Sequence, residues 1–309
     1  MTQRVLAIGE CMVELAPVED HLYRRGFAGD TYNFAWYLRR LLPSDWSVGY
    51  GTWLGTDAVS DELEAAIAAA GIDTAAIRRT AERTVGLYMI ELSGGERSFT
   101  YWRSQSAARL LASDAAWLEA QLEGAALVLF SGITLAVVEP EDRATLLSSL
   151  ARARKAGTVI AFDPNLRPRL WPDTQTMRVA LIQAADVADI ALPSFEDEHR
   201  HFGDPTIDAT LERYCARGAR TVVVKNGADA IAAWDAAEGD AHLQPPRVAA
   251  IDTTAAGDSF NAGFLAARLR GAPLAEALDA GARLAAEVVR HPGALVPEAL
   301  EKFRGKATS

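Results

Sequence analysis

Leu127-Val128-Leu129-Phe130, then Arg143-Ala144-Thr145-Leu146-Leu147-Ser148-Ser149-Leu150-Ala151-Arg152-Ala153-Arg154-Lys155, then Val159-Ile160-Ala161-Phe162: these pieces of residues 127–162 decide the fold. The outer two are short, continuous apolar runs, the pattern of strands buried on both faces. The middle one is rich in Ala, Leu and Arg and reads as helix. Further along, 190–192 and 221–224 repeat the apolar run, and 177–184 repeats the helix. This rhythm predicts an α/β fold, a mostly parallel central sheet flanked by helices, with ligands beyond the carboxyl ends of its strands. Each run is followed by residues with chemistry: Ser131-Gly132, Asp163-Pro164-Asn165, Pro193-Ser194 and Lys225-Asn226-Gly227. Any one of these is an ordinary turn. All four together point to one shared site.

Two regions break the rhythm. Residues 11–27 and 84–103 read as hairpin strands, with Ser93-Gly94-Gly95-Glu96 as the clearest turn and 84–92 pairing with 97–103. Together they predict a small β-layer over the strand ends, placed to exclude water from a transfer site. No repeat or linker divides the chain, so residues 1–309 read as a single domain, and Ala237-Glu238-Gly239-Asp240-Ala241 reads as a surface turn.

A chain of 309 residues, 50% hydrophobic and 23% charged, has ample material for a large core. Its net charge of −10 argues against nonspecific nucleic-acid binding, which needs a basic face. Cys11 and Cys215 have no metal or redox spacing. No run approaches the ~20 apolar residues of a membrane span. The expectation is a cytoplasmic protein with neither nucleic-acid nor membrane partners.

The most chemical stretch is Ile251-Asp252-Thr253-Thr254-Ala255-Ala256-Gly257-Asp258-Ser259-Phe260-Asn261-Ala262-Gly263-Phe264. Small residues lead into a helix whose first turn leaves N–H donors and a positive dipole end facing outward. The amides of Ala255, Ala256 and Gly257 suit a phosphate, yet Asp258 repels one. The conflict resolves if Asp258 removes a proton from a substrate hydroxyl while the amides hold the transferring phosphoryl group. An acidic residue is also favoured there by the helix dipole alone. Upstream, Gly29-Asp30-Thr31-Tyr32-Asn33 precedes a second helix over 34–42, with Asp30 and Asn33 as sugar-hydroxyl partners or, equally, as its cap.

The stretch at 251–264 resembles the D-T-x-G-A-G-D signature of the ribokinase-like (PfkB) carbohydrate kinases, in which the last Asp is the catalytic base. Ala255 stands where the family has its first Gly, and it permits close approach provided that its φ is negative. Gly29-Asp30-Thr31-Tyr32-Asn33, Gly86-Leu87-Tyr88, Phe99-Thr100-Tyr101-Trp102-Arg103, Ala107-Ala108-Arg109 and Asp163-Pro164-Asn165-Leu166-Arg167 resemble the 2-keto-3-deoxygluconate (KDG) kinases within it, as does Gly9-Glu10-Cys11-Met12-Val13-Glu14-Leu15. The resemblance spans residues 9 to about 265. It implies a ribokinase-like three-layer fold with a β lid that also serves dimerisation, and ATP-dependent phosphorylation of a sugar acid. Gly29, Asp30, Asn33, Tyr88, Tyr101, Arg103 and Arg167 would then hold the substrate, with Arg binding its carboxylate two-pronged.

No G-x-x-x-x-G-K-[ST] and no G-x-G-x-x-G after a strand is present. The resemblance instead assigns ATP contact to Lys225, Asn226, Gly227, Ala228, Asp229 and Ala230, to Asn165 and Arg167, and to Ala255, Ala256 and Gly257. Residues 226–230 also read as a simple strand-to-strand turn. ATP implies Mg²⁺, for which no protein ligand is assigned; Ser194 and Asp197 stand where relatives carry N-x-x-E. Asp252 is placed as in relatives that bind a monovalent cation such as K⁺. A neutral-sugar kinase is the main alternative, and a non-catalytic sugar-acid sensor or a nicotinamide-dependent oxidoreductase are others.

Overall fold

The computed structural model describes residues 3–19, 22–93 and 96–306. The Gly94-Gly95 centre of the expected hairpin turn lies outside them. The strands are β1 (Gln3–Ile8), β2 (Met12–Glu19), β3 (Leu22–Ala28), β4 (Trp46–Gly55), β5 (Ile77–Thr80), β6 (Leu87–Ser93), β7 (Glu96–Trp102), β8 (Leu127–Ser131), β9 (Val159–Asp163), β10 (Ile190–Ala191), β11 (Thr221–Val224), β12 (Ile231–Asp235) and β13 (Gly239–Leu243). A nine-stranded sheet runs β13-β12-β11-β10-β9-β8-β1-β4-β5. It is parallel from β5 through β11, and β12 and β13 add antiparallel strands at one edge.

Alternation along the central strands builds the layers. Val5, Ala7, Leu127, Leu129 and Ala161 face a core shared with Phe34, Leu38, Phe260, Phe264 and Leu278 of three helices. Leu6, Ile8, Val128, Phe130, Ile160 and Phe162 face the opposite core, with Leu118, Leu146, Leu150, Met177 and Leu181. The Phe130 and Phe162 rings stack across β8 and β9 with centroids 4.8 Å apart. Helices therefore cover both faces, as the continuous apolar strands require.

The second sheet runs β3-β2-β6-β7, with β2 and β6 parallel and the outer pairs antiparallel. Met12, Tyr88 and Ile90 of this sheet pack on Ala294, and Ala255 closes the same cluster.

Several boundaries differ from the sequence reading. The helix expected at 34–42 spans Asp30–Leu41, so Asp30 is its first residue and Gly29 is the cap. The helix expected at 177–184 spans Thr174–Ala185, begun by Asp173, whose side chain accepts from Thr176 N. The expected turn at 237–241 is half strand, because β13 begins at Gly239. β4 was not legible at all. Gly49, Gly51 and Gly55 lower its strand propensity, but a Cβ on Gly51 would lie 2.8 Å from Ile8 Cγ2, so the neighbouring strand fills that space.

Candidate active site

The site is assembled where β1, β9 and β11 end and two helices begin. The Asp30–Leu41 helix starts against β1: a Cβ on Gly29 would stand 2.2 Å from the Glu10 carbonyl oxygen, so only glycine permits this approach. Asn33, one turn in, donates from Nδ2 to Asp258 Oδ2 at 2.8 Å. Asp258 lies in the first turn of the Ala256–Leu269 helix. One hydrogen bond thus joins the two helix starts that the sequence singled out. Asp30 is tied to the end of β9, accepting from Asn165 Nδ2 at 3.0 Å. Asn165 takes a positive φ of 33° and its N–H donates to Asp163 Oδ1 at 3.1 Å.

Three carboxylates gather here. Asp258 is held well above the usual carboxylate range, first by burial, then by the charge of Asp30 and less by that of Asp163. Asn33's hydrogen bond and the charge of Lys225 pull the other way. Asp30 is also raised, chiefly by burial. A carboxylate with raised proton affinity in the first turn of a helix suits a general base near neutral pH.

The 255–257 loop departs from the expected amide cradle. Ala255 adopts the left-handed conformation at φ 58°, not the negative φ expected of alanine there. The cost for a residue with a Cβ is about 1–2 kcal/mol, and it is met by packing, since Ala255 lies against both the central core and the second sheet. The Ala256 N–H turns into the loop and donates to Thr253 O at 3.2 Å. Below the cradle, Lys225 Nζ donates to Asn261 Oδ1 at 3.1 Å and lies 3.3 Å from Asp163 Oδ2. A Cβ on Gly257 would lie 3.7 Å from that ammonium.

Residues expected to face the sugar are engaged by other groups of the protein. Arg103 forms an ion pair with Glu10, whose side chain is 1% exposed. The Tyr88 hydroxyl donates to the buried Glu14 carboxylate. Tyr88, Phe99 and Tyr101 form a ladder of rings on the second sheet, with Tyr101 45% exposed. Trp102 points from the alternate position and is exposed. Arg167 donates to Leu166 O at 2.7 Å and its charge reaches Asp197. Residues 226–230 form the turn of the β11–β12 hairpin, where Gly227 has φ 57° and Asp229 N–H donates to Asn226 O at 2.9 Å. Asn226 is half-buried, whereas Gly227, Ala228, Asp229 and Ala230 are exposed.

Four site residues had no assigned role in the sequence reading: Glu10, Glu14, Asp163 and Asn261. Glu10 and Glu14 interrupt an otherwise apolar run, Cys11-Met12-Val13, and a charge in such a run is the signal that marks them. Asn261 interrupts the apolar Phe260–Phe264 stretch in the same way.

A divalent metal brought by a nucleotide suits this donor set. Among the described residues no group of three or more His, Cys, Asp or Glu is placed to hold a metal ion. Mg²⁺ is commonly bound by one or two carboxylates together with phosphate oxygens and waters. Asp197 is half-buried and within electrostatic reach of Asp163 and Arg167.

The chain is similar to known proteins along nearly its whole length. A family model described as pfkB family carbohydrate kinase matches residues 2–300. A 2-dehydro-3-deoxygluconokinase of Dickeya dadantii is 39% identical over 305 residues, covering 96% of this chain and 97% of that protein. The Escherichia coli K12 protein of the same name is 38% identical over 310 residues, covering 96% and 98%. Among solved structures, a putative ribokinase II from Escherichia coli in complex with ATP and Mg²⁺ superposes with a TM-score of 0.84 at 23% identity, covering 98% of this chain and 99% of that one.

Proposed function

Because the chain belongs to the pfkB family of carbohydrate kinases, we propose that it phosphorylates KDG at the 6-hydroxyl with ATP, giving 2-keto-3-deoxy-6-phosphogluconate. The observation that carries the chemistry is the Asn33–Asp258 hydrogen bond, which fixes a carboxylate of raised proton affinity in the first turn of a helix. The choice of sugar acid follows the names of the relatives at 38–39% identity.

In this reading Asp258 takes the proton of the 6-hydroxyl as its oxygen attacks the γ-phosphorus, and the bond to the β–γ bridging oxygen breaks. The N–H groups of Ala255 and Gly257 hold the transferring group, and that of Ala256 joins them only by leaving Thr253 O. Asp30, Asn33 and Gly29 fix the sugar, Tyr88 and Tyr101 cover it, and Arg103 and Arg167 face its carboxylate. Asn165, Arg167, Lys225 and the 226–230 turn serve the nucleotide, whose Mg²⁺ neutralises phosphate charge when bound. Residues 11–27 and 84–103 act as the lid of a single catalytic unit in the cytoplasm.

One observation favours a neutral sugar instead: Glu10 already neutralises Arg103. An ADP-release assay with Mg²⁺-ATP and KDG, fructose, ribose or gluconate decides between them. Turnover of KDG over fructose and ribose by ~10²-fold or more is expected, since a site built for a polar group discriminates strongly against its absence. Turnover confined to a neutral sugar discards the carboxylate roles of Arg103 and Arg167. The same assay with choline replacing K⁺ tests a cation beside Asp252, and unchanged activity removes it. Asp252 already ties two loops, accepting from Thr254 N–H at 2.9 Å and Gly293 N–H at 2.7 Å. Self-association through the lid would cover the exposed Val18, Leu22, Tyr23 and Trp102; a monomer by light scattering rules it out.

A further inference from the structure

Under the cradle lies a closed polar triangle. Lys225 follows β11, Asp163 ends β9, and Asn261 sits one turn after Gly257 on the Ala256–Leu269 helix. Lys225 Nζ is 3.1 Å from Asn261 Oδ1 and 3.3 Å from Asp163 Oδ2, and Asn261 Nδ2 donates to Asp163 Oδ2 at 2.6 Å. All three are more than nine-tenths buried. A buried ammonium needs a partner, and Asp163 supplies it. The arrangement does more than satisfy Lys225, however. An ammonium carries three donors, and two are taken by Asp163 and Asn261. Nζ lies beneath Gly257, in the part of the cradle where phosphate charge would gather.

The local charge explains why a cation is needed there. Asp30, Asp163 and Asp258 bring three carboxylates to one space, and a polyphosphate adds to them. Helix N-terminal amides carry partial charge only. We propose that Asp163 and Asn261 are positioning residues that aim the Lys225 ammonium at the transferring phosphoryl group over Gly257. In the step itself the sugar oxygen bonds to phosphorus, its proton passes to Asp258, and ADP departs with the electron pair of the broken bond. Lys225 keeps its proton throughout and offsets charge on the phosphoryl oxygens. This inference rests on the phosphoryl-transfer reading above and is indifferent to which sugar is used.

The test is a double-mutant cycle on turnover, measured with whichever sugar the wild-type protein phosphorylates fastest. Failure of the KDG reading therefore leaves it intact. Lys225→Met is expected to lower kcat by ~10²-fold or more, the scale of one lost charge-stabilising donor. Asn261→Leu, which removes the bonds of Asn261 to Lys225 and Asp163 without changing charge, should lower kcat by about 10-fold, within the range for neighbours that act as a unit. The double variant should then be no slower than Lys225→Met alone. Fully additive losses, or a Lys225→Met variant within about 3-fold of wild type, overturn the proposal, because a residue that acts only through Lys225 has nothing left to position once the ammonium is gone. Should Asn261→Leu not fold, Lys225→Arg decides. It keeps the charge but replaces a compact point charge by a larger planar fork, which moves the charge away from the position that the tethers set. A kcat loss of about 10-fold or more supports positioning, and smaller losses overturn it.

Discussion

Asp258→Asn is expected to lower kcat by at least ~10²-fold, the low end for a positioned general base, while ATP binding is kept. Asparagine preserves size and hydrogen bonding, so the contact with Asn33 at 2.8 Å persists in altered form. What is lost is the acceptor for the substrate proton. Single-turnover kinetics and nucleotide titration measure both quantities, and near-normal turnover in the folded variant overturns the assignment. The pH dependence has a definite sign. A base works unprotonated, so kcat/KM falls as pH falls through the titration of Asp258 in the free enzyme. Burial and the charge of Asp30 raise that titration, so the loss should begin above the usual aspartate range. An acid limb at about pH 4, where an ordinary aspartate titrates, contradicts the electrostatics described for the site.

Arg103→Ala should carry the largest cost in stability. Removing one partner of a buried ion pair strands the other, and such losses run to about 3–5 kcal/mol. Glu10 is the residue stranded, buried at the junction of β1 and the second sheet. Urea unfolding of the variant measures the loss, and adding Glu10→Gln should restore a large part of it. An unchanged unfolding midpoint means that the pair does not hold in solution. The kinetic effect is separate: the KM for an acidic sugar should rise while that for a neutral sugar does not. An equal rise for both argues against carboxylate recognition by Arg103.

The central sheet was legible because its middle strands are continuously apolar. Residues 127–130 and 159–162 have no polar residue to confuse the pattern. β4 was hidden because its glycines contribute room instead of apolar surface, and the reason for that room is Ile8 on the next strand, far away in sequence. The helix turn that holds Asp258 was legible from the small residues preceding it, whereas the other helix begins at Asp30, ahead of the expected 34, and the structure joins the two through Asn33. The partners of Arg103 and Tyr88 were not legible. Glu10 and Glu14 meet them only when the second sheet folds over β1, a contact that local pattern cannot express. The positive φ of Ala255 was likewise set from outside, by the packing on its methyl group.

That methyl group has a thermodynamic consequence. Ala255 touches the second sheet on one side and the central core on the other, so raising the sheet strips contacts from a residue already in an unfavourable conformation. Loop geometry and sheet position are therefore one equilibrium. By reciprocity, were an anion at the loop to favour one packing of the sheet on Ala255, that packing would favour the anion by the same factor. A glycine at this position would weaken that linkage, because it has neither the strain nor the methyl group.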